Sequence, residues 1–156
     1  MAVTFNPRAV EAKIALNLIS STEMPKLAWD ALEAGLDGPA TRHLAALDSP
    51  TFFQVRELLS SVMKEWRLTN LNKEQAAVQL AKMRAQEILR SESDPLLHLR
   101  DFEHFWIEAD YCRELSDYGN LDDEVYVARL TGLPEQEIRA WVLKKMQKLA
   151  ETNPTP

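Results

Sequence analysis

The sequence predicts an all-α fold, a single-domain bundle of seven or eight helices. Apolar residues recur at steps of three and four along almost the whole chain, and most predicted helices begin with a polar residue followed by proline or by a capping partner. Strand-like alternation bounded by turn signals does not occur in the sequence. A chain of 156 residues suits one domain. We expect that domain over residues 1–150 and a disordered polar tail over residues 151–156, ETNPTP.

The first three helices are predicted from their ends. Asn6 precedes Pro7, and proline at the first helical position is typical of a helix start. The second helix begins near Pro25 and ends at Gly35, because glycine readily adopts the left-handed conformation that ends many helices. The third helix, within DGPATRHLAAL, is short and is predicted to take Asp37 as its N-cap.

The later helices are longer. The fourth begins at Ser49 and the proline after it, and its apolar residues continue at steps of three and four to Trp66. The fifth has Asn72 with Gln75 three residues on, a variant of the capping box. The sixth opens at Asp94 and runs through SDPLLHLRDFEHFWIEADYCREL, the most aromatic segment of the chain. A glycine turn separates the last two helices, LDDEVYVARLTG and PEQEIRAWVLKKMQKLA.

The composition excludes several classes of protein. A formal net charge of −6 at pH 7 disfavours binding to nucleic acid unless basic residues are concentrated on one face. Cys112 is the single cysteine, which excludes an intramolecular disulfide and a cysteine-based zinc site. No apolar run approaches the roughly 20 residues of a membrane span, and the N-terminus MAVTFNPRAVEAK lacks the layout of a signal peptide. We therefore expect a cytoplasmic protein with no membrane partner and no cofactor.

One segment carries a recognisable pattern. In residues 27–48, LAWDALEAGLDGPATRHLAALD, a helix bearing Trp and Leu runs into Gly-Leu-Asp, a proline and a short helix that contains Leu-Ala. This segment resembles a pattern in uncharacterised bacterial all-helical proteins. The resemblance implies a helical fold and brings no activity with it.

A second segment, residues 124–148, is similar to the last two helices of a homeodomain. Its sequence is EVYVARLTGLPEQEIRAWVLKKMQK, and four of its residues match those that pack the two helices together: Leu130, Leu133, Ile138 and Trp141. The resemblance implies a helix-turn-helix whose second helix enters the major groove of DNA.

The residues that would read DNA depart from the family. When Trp141 is aligned with the tryptophan of the family, Lys144 replaces the asparagine that pairs with adenine. Residues 95–150 contain seven Lys or Arg against eleven Asp or Glu, a net charge of −4. DNA binding is therefore an alternative function, and nucleic acid is not the partner that we expect. The base-reading positions fall on Ala140, Leu143, Lys144 and Gln147.

The predicted sixth helix is apolar on two opposite sides. Its outer apolar line consists of Leu97, Ile107, Tyr111 and Leu115. A helix of this kind is either central in a bundle or covered by a partner. We therefore predict a partner-binding surface that combines most of this line with the acidic residues after it: Ile107, Tyr111, Leu115, Asp117, Asp122 and Asp123.

The same helix carries candidate metal ligands. Asp101, His104 and Glu108 follow one another at spacings of three and four residues, which places them on neighbouring turns. Carboxylate and imidazole groups suit hard or intermediate divalent cations. No metal is the main expectation, because no two-histidine zinc motif accompanies these residues. A metal-dependent enzyme that uses them is an alternative function.

We expect a non-enzymatic helical protein that binds a protein partner or forms a homodimer. The sequence has no recognisable catalytic set, and its sixth helix has an unexplained apolar side. In the acidic segment DYCRELSDYGNLDDE, charge complementarity favours a basic protein partner.

Overall fold

The chain is represented by a computed structural model, which describes residues 5–151. These residues contain no strand, so the all-α prediction is confirmed. Eight of the described helices have two turns or more, as the sequence predicted, and α7 is a single turn. The helices are α1 (Pro7–Ala15), α2 (Met24–Glu33), α3 (Pro39–Ala46), α4 (Phe52–Glu65), α5 (Lys73–Ser91), α6 (Leu99–Glu108), α7 (Ser116–Gly119), α8 (Leu121–Leu130) and α9 (Glu135–Glu151).

The chain folds into two compact units. The first unit ends at Asn72 and the second begins at Lys73. One domain over residues 1–150 stays a prediction. Glu151 is the last residue of α9, so the predicted tail does not include it, and residues 152–156 lie outside the described residues.

The start of α1 follows the sequence prediction. The Asn6 side chain accepts hydrogen bonds from the backbone N–H groups of Arg8 and Ala9, at 3.1 and 3.3 Å. Helix α4 begins later than predicted. Its cap is Thr51, whose side chain and that of Gln54 accept hydrogen bonds from each other's backbone N–H groups.

The start of α3 depends on a residue from another helix. The Glu65 carboxylate accepts hydrogen bonds from the Ala40 N–H at 3.0 Å, the Thr41 N–H at 2.9 Å and the Thr41 hydroxyl at 2.8 Å. The Trp66 indole N–H donates to the same hydroxyl at 2.9 Å. Burial raises the pKa of Glu65, but the hydrogen bonds from Thr41 and Ala40 outweigh it, so the net pKa lies below the ordinary value.

The prediction that Asp37 caps α3 is wrong. The N-cap is Gly38, which has no side chain that could accept a hydrogen bond. The Glu65 carboxylate accepts the hydrogen bonds from the N–H groups in the first turn instead. A Cβ at Gly38 would overlap the Glu65 carboxylate. Asp37 instead pairs with the Arg42 guanidinium through two hydrogen bonds of 2.7 and 2.6 Å. The hydrogen bond from Arg42 holds the pKa of Asp37 below its ordinary value.

Helix α4 is buried along a single line. Val55, Val62 and Trp66 form this line and belong to the core of the first unit. At about 100° per residue, Glu65 lies on one flank of the line and Phe52 on the other. The Glu65 flank faces α3. The opposite flank carries exposed side chains and is considered again below.

In the second unit, α5 has a buried side that is rich in small side chains. Helix α5 buries Ala76, Ala77, Ala81 and Ala85 with 0% exposure, and it packs against α9. The buried residues of α9 follow at steps of four, four and three, as expected for one helix face. They are Ile138, Val142, Met146 and Leu149.

An ion pair ties the start of the predicted sixth helix to α9. The Arg139 guanidinium donates to both Asp94 carboxylate oxygens, at 3.1 and 3.2 Å. Asp94 also accepts a hydrogen bond from the Leu96 N–H and so caps a 3-10 turn, Pro95–Leu97. The hydrogen bond from Arg139 is the main reason that the pKa of Asp94 lies below its ordinary value.

The sixth helix is shorter than the sequence predicted. Helix α6 ends at Glu108, and Asp110 and Tyr111 both adopt left-handed backbone conformations, with φ of 54° and 60°. The Trp106 indole N–H donates to the Cys112 carbonyl at 3.0 Å, and a Cβ at Gly119 would overlap the Trp106 ring. The segment after α6 therefore turns back around Trp106, where the sequence had predicted a continuous helix.

Thr41→Val should lower the free energy of unfolding by about 1–3 kcal/mol, because the buried Trp66 indole N–H loses its acceptor. Urea denaturation followed by circular dichroism would measure the loss. Thr41→Ser is the matched control, since it keeps the hydroxyl, and should lie closer to wild type. Equal stability of Thr41→Val and wild type would show that this hydroxyl is not needed.

Asp94→Asn should cost about 0.5–1 kcal/mol near neutral pH, a value reduced for the partial exposure of both partners. A carboxylate with a lowered pKa stabilises the fold above the ordinary aspartate pKa of about 3.9, and this contribution is lost as the pH falls through the folded pKa. The difference between wild type and Asp94→Asn should therefore shrink below about pH 4. Denaturation at several pH values would test this, and a difference that grows on acidification would contradict it.

Candidate partner-binding surfaces

The predicted partner-binding surface is partly at the surface and partly in the core. Ile107 is 41% exposed and Tyr111 is 61% exposed, and the Tyr111 ring meets Trp106 edge-on at 5.0 Å. The prediction that Leu115 belongs to this surface is wrong. It is 1% exposed because the chain turns back after α6, so the predicted helical line to Leu115 does not exist and its side chain packs inward.

The predicted acidic residues lie near the start of α8. Asp117 and Asp123 are exposed, and Asp122 is half-buried. The Asp122 carboxylate lies 3.9 Å from the Arg100 guanidinium, an exposed pair that contributes little to stability. Asp122 and Asp123 belong to the first turn of α8, where negative charge favours the helix N-terminus.

Helix α8 has large apolar side chains on the side opposite its core side. Leu121 and Val125 are buried, at 0% and 1% exposure. Tyr126, Val127 and Leu130 point away from them and are 63%, 56% and 70% exposed. We call the surface made of Asp123, Tyr126, Val127 and Leu130 the α8 outer face. Leu133, in the turn that follows, is 40% exposed.

The charges around the α8 outer face are unequal. The Arg129 guanidinium donates to the Glu135 carboxylate at 2.8 Å, so its charge is balanced locally. Asp123 makes no ion pair with any residue in the described range. The α8 outer face is therefore apolar, with an unbalanced negative charge at its N-terminal end.

This surface was not predicted from the sequence. The homeodomain resemblance assigned Leu130 and Leu133 to helix packing, and both are exposed. Ile138 is buried as predicted, and Trp141 is partly buried. The property predicted for the sixth helix, apolar residues on two opposite sides, is also found on α8. Placing YVARL on a helical wheel with Leu121 and Val125 would have indicated it.

The positions proposed to read DNA are mostly at the surface. Ala140, Lys144 and Gln147 are exposed, and Leu143 is partly buried. Lys145 lies over the Trp141 ring, 5.8 Å from its centroid. The helix-turn-helix resemblance itself stays a prediction.

The three candidate metal ligands do not meet. The His104 imidazole and the Glu108 carboxylate are 3.8 Å apart, but Asp101 turns to the Arg84 guanidinium at 3.3 Å. Within residues 5–151, no group of three or more His, Cys, Asp or Glu side chains is placed to hold a metal ion. Burial raises the pKa of the Cys112 thiol, which makes its nucleophilic thiolate scarcer.

The first unit contains an apolar groove along α4. One part of the groove is a cavity of about 250 Å³. The second part, of about 400 Å³, continues from it, since both are lined by Arg56 and Leu59. We call the two parts the α4 groove. Its apolar lining residues are Ile14, Ile19, Met24, Phe52, Val55, Leu59, Met63 and Leu68.

The charged residues that line the α4 groove are all basic. They are Arg56 and Lys64, and neither makes an ion pair with the described part of the chain. Phe52 lines the groove and is 58% exposed, whereas its neighbour Phe53 is 72% exposed and does not line it. The α4 groove is thus apolar with an unbalanced positive charge. The sequence does not indicate this groove, because its walls come from three separate stretches of the chain.

Comparison of the chain with protein family models, with curated proteins and with solved structures found no match. The two resemblances described from the sequence therefore stay predictions. Among the described helices, none combines the length and the apolar composition needed to cross a membrane.

Leu115→Ala should lower the free energy of unfolding by about 2–5 kcal/mol, because a buried leucine leaves a cavity when it is truncated. Leu97→Ala is the matched control, since Leu97 is 77% exposed and should change little. Urea denaturation would compare them. Similar stabilities for the two variants would mean that Leu115 lies at the surface, as the sequence had suggested.

Proposed function

We propose that the chain is a non-enzymatic helical protein that acts by binding another protein molecule through the α8 outer face. The observation that carries this proposal is the exposure of Tyr126, Val127 and Leu130, all more than half exposed, directly opposite the buried side of the same helix. Single exposed apolar residues are ordinary, but an adjacent group of them marks an interaction site more often.

The composition of the face also supports a protein partner. Tyrosine is enriched where interfaces are energetically strongest, because its ring buries a large apolar area at a low cost in side-chain entropy. Tyr126 and Leu130 are one helical turn apart, so both can enter one depression on a partner.

The charge of the second unit indicates which surfaces would be compatible. Residues 73–156 contain 11 Lys or Arg and 16 Asp or Glu, a net charge of −5. Asp123 is exposed on the α8 outer face, and Asp117 is exposed in α7. We therefore expect a partner surface that is apolar and carries basic residues, since complementary charge speeds association and rejects acidic surfaces.

A photo-reactive amino acid placed at residue 130 should crosslink to a protein in cells that make this chain naturally. The same group at residue 97 is the matched control, because Leu97 is also highly exposed in the second unit but lies outside the α8 outer face. Products at residue 130 that are absent at residue 97 are expected, and mass spectrometry would identify them as a second copy or a different protein. Identical products at both positions, or none at residue 130, would contradict the proposed function.

Charge reversal of Asp123 tests the electrostatic part of the proposal. Asp123→Lys should reduce the crosslink yield at residue 130, and added salt should reduce the wild-type yield, because salt screens exposed charges. If neither the substitution nor the salt changed the crosslink yield, the proposed apolar contact would stand. The proposal that the partner carries basic residues would be wrong.

A further inference from the structure

We infer that the α8 outer face of one copy binds in the α4 groove of a second copy. The inference rests on the proposed function and names the partner. The two surfaces are distinct, so the contact joins the second unit of one molecule to the first unit of another.

The spacing of the apolar residues on α8 suits a groove. Tyr126 and Leu130 lie at i and i+4, and Val127 lies three residues before Leu130, which are spacings by which an amphipathic helix anchors in an apolar groove. Along α4 the groove extends from Phe52 to Lys64, about 18 Å at roughly 1.5 Å per residue. The stretch of α8 from Asp123 to Leu130 needs only about 10 Å by the same rise. The groove is therefore long enough to hold this stretch of α8.

The shape of the groove suits a helix. Its smaller part, of about 250 Å³, can take one or two apolar side chains, and its larger part, of about 400 Å³, continues from it along α4. The groove also remains open toward Met63 and Leu68, so a helix can lie along it.

The unbalanced charges of the two surfaces are complementary. Arg56 and Lys64 at the groove and Asp123 on the α8 outer face all lack an ion-pair partner within residues 5–151. A contact between two copies would bring the Asp123 carboxylate of one copy close to Arg56 and Lys64 of the other. A groove lined by the same cations would gain less from a neutral apolar helix.

The contact has a defined consequence for assembly. Because face and groove differ, two copies joined once still leave one free face and one free groove. These can bind further copies or each other, so the assembly either grows or closes into a ring, and in both cases the molecular mass should rise with concentration. A single helix in a groove is a small interface, so the association should be weak and reversible.

Sedimentation equilibrium of the full chain over a wide concentration range would measure this association. Leu130→Asp and Phe52→Asp should each weaken it at least about tenfold, because each puts a carboxylate into the apolar contact. Leu97→Asp and Trp29→Asp are the matched controls, because Leu97 is 77% exposed, Trp29 is 56% exposed and neither belongs to the two surfaces, and both should associate like wild type. A strict monomer at every concentration would overturn the inference, and so would controls that weaken association as much as the test variants.

A mixing experiment tests the pairing of the two surfaces. The Leu130→Asp variant keeps an intact groove and the Phe52→Asp variant keeps an intact face. Mixed, they should form a one-to-one complex and nothing larger, although neither associates alone. Absence of that complex would overturn the inference, provided that circular dichroism gives both variants the wild-type helix content.

A charge exchange keeps the inference testable if either apolar variant misfolds. Asp123→Arg and Arg56→Glu should each weaken association, and the chain that carries both should recover it, since the pair is restored with opposite polarity. No recovery in the double variant would overturn the pairing. If the chain is monomeric while residue 130 still crosslinks to a different protein, this inference fails and the proposed function stands.

Discussion

The Glu65 carboxylate is the constraint on which the first unit depends. It accepts three hydrogen bonds from the first turn of α3, and the hydroxyl of Thr41 connects it to the Trp66 indole. These contacts fix the rotation of α4 about its own axis, because Glu65 must face α3. The opposite flank, with Phe52 and Arg56, is then directed outward. A structural hydrogen-bond network therefore determines which residues are left to form the α4 groove.

The fold could be predicted well where local chemistry decides it. Pro7 follows Asn6, and Asn6 is the cap, because a side-chain acceptor next to a proline satisfies a helix start without help from the rest of the chain. The start of α3 could not be predicted in this way. Asp37 is a good local cap, but Glu65, distant in sequence, reaches the free N–H groups and leaves Asp37 to Arg42. Tertiary contacts override local preference at such positions.

The candidate surface was predicted less well than the fold, for a reason visible at Asp110 and Tyr111. Neither glycine nor proline marks the end of α6, and two ordinary residues adopt left-handed conformations there. The apolar line drawn through Leu115 therefore continued a helix that has already ended. Ile107 and Tyr111 are exposed as expected, but the larger apolar surface lies on α8. The predicted acidic residues Asp122 and Asp123 lie on α8, but the exposed apolar side chains of that helix were not predicted.

The alanines of α5 have a consequence for sequence variation. Ala76, Ala77, Ala81 and Ala85 are completely inaccessible, and α9 packs against this helix. A side chain larger than alanine would have to displace the neighbouring structure, and overpacking of this kind is costly. These positions set an upper limit on residue size, whereas the outward side of α5 has no such limit. Natural variants of the chain should therefore keep glycine, alanine or serine at these four sites while their surfaces diverge.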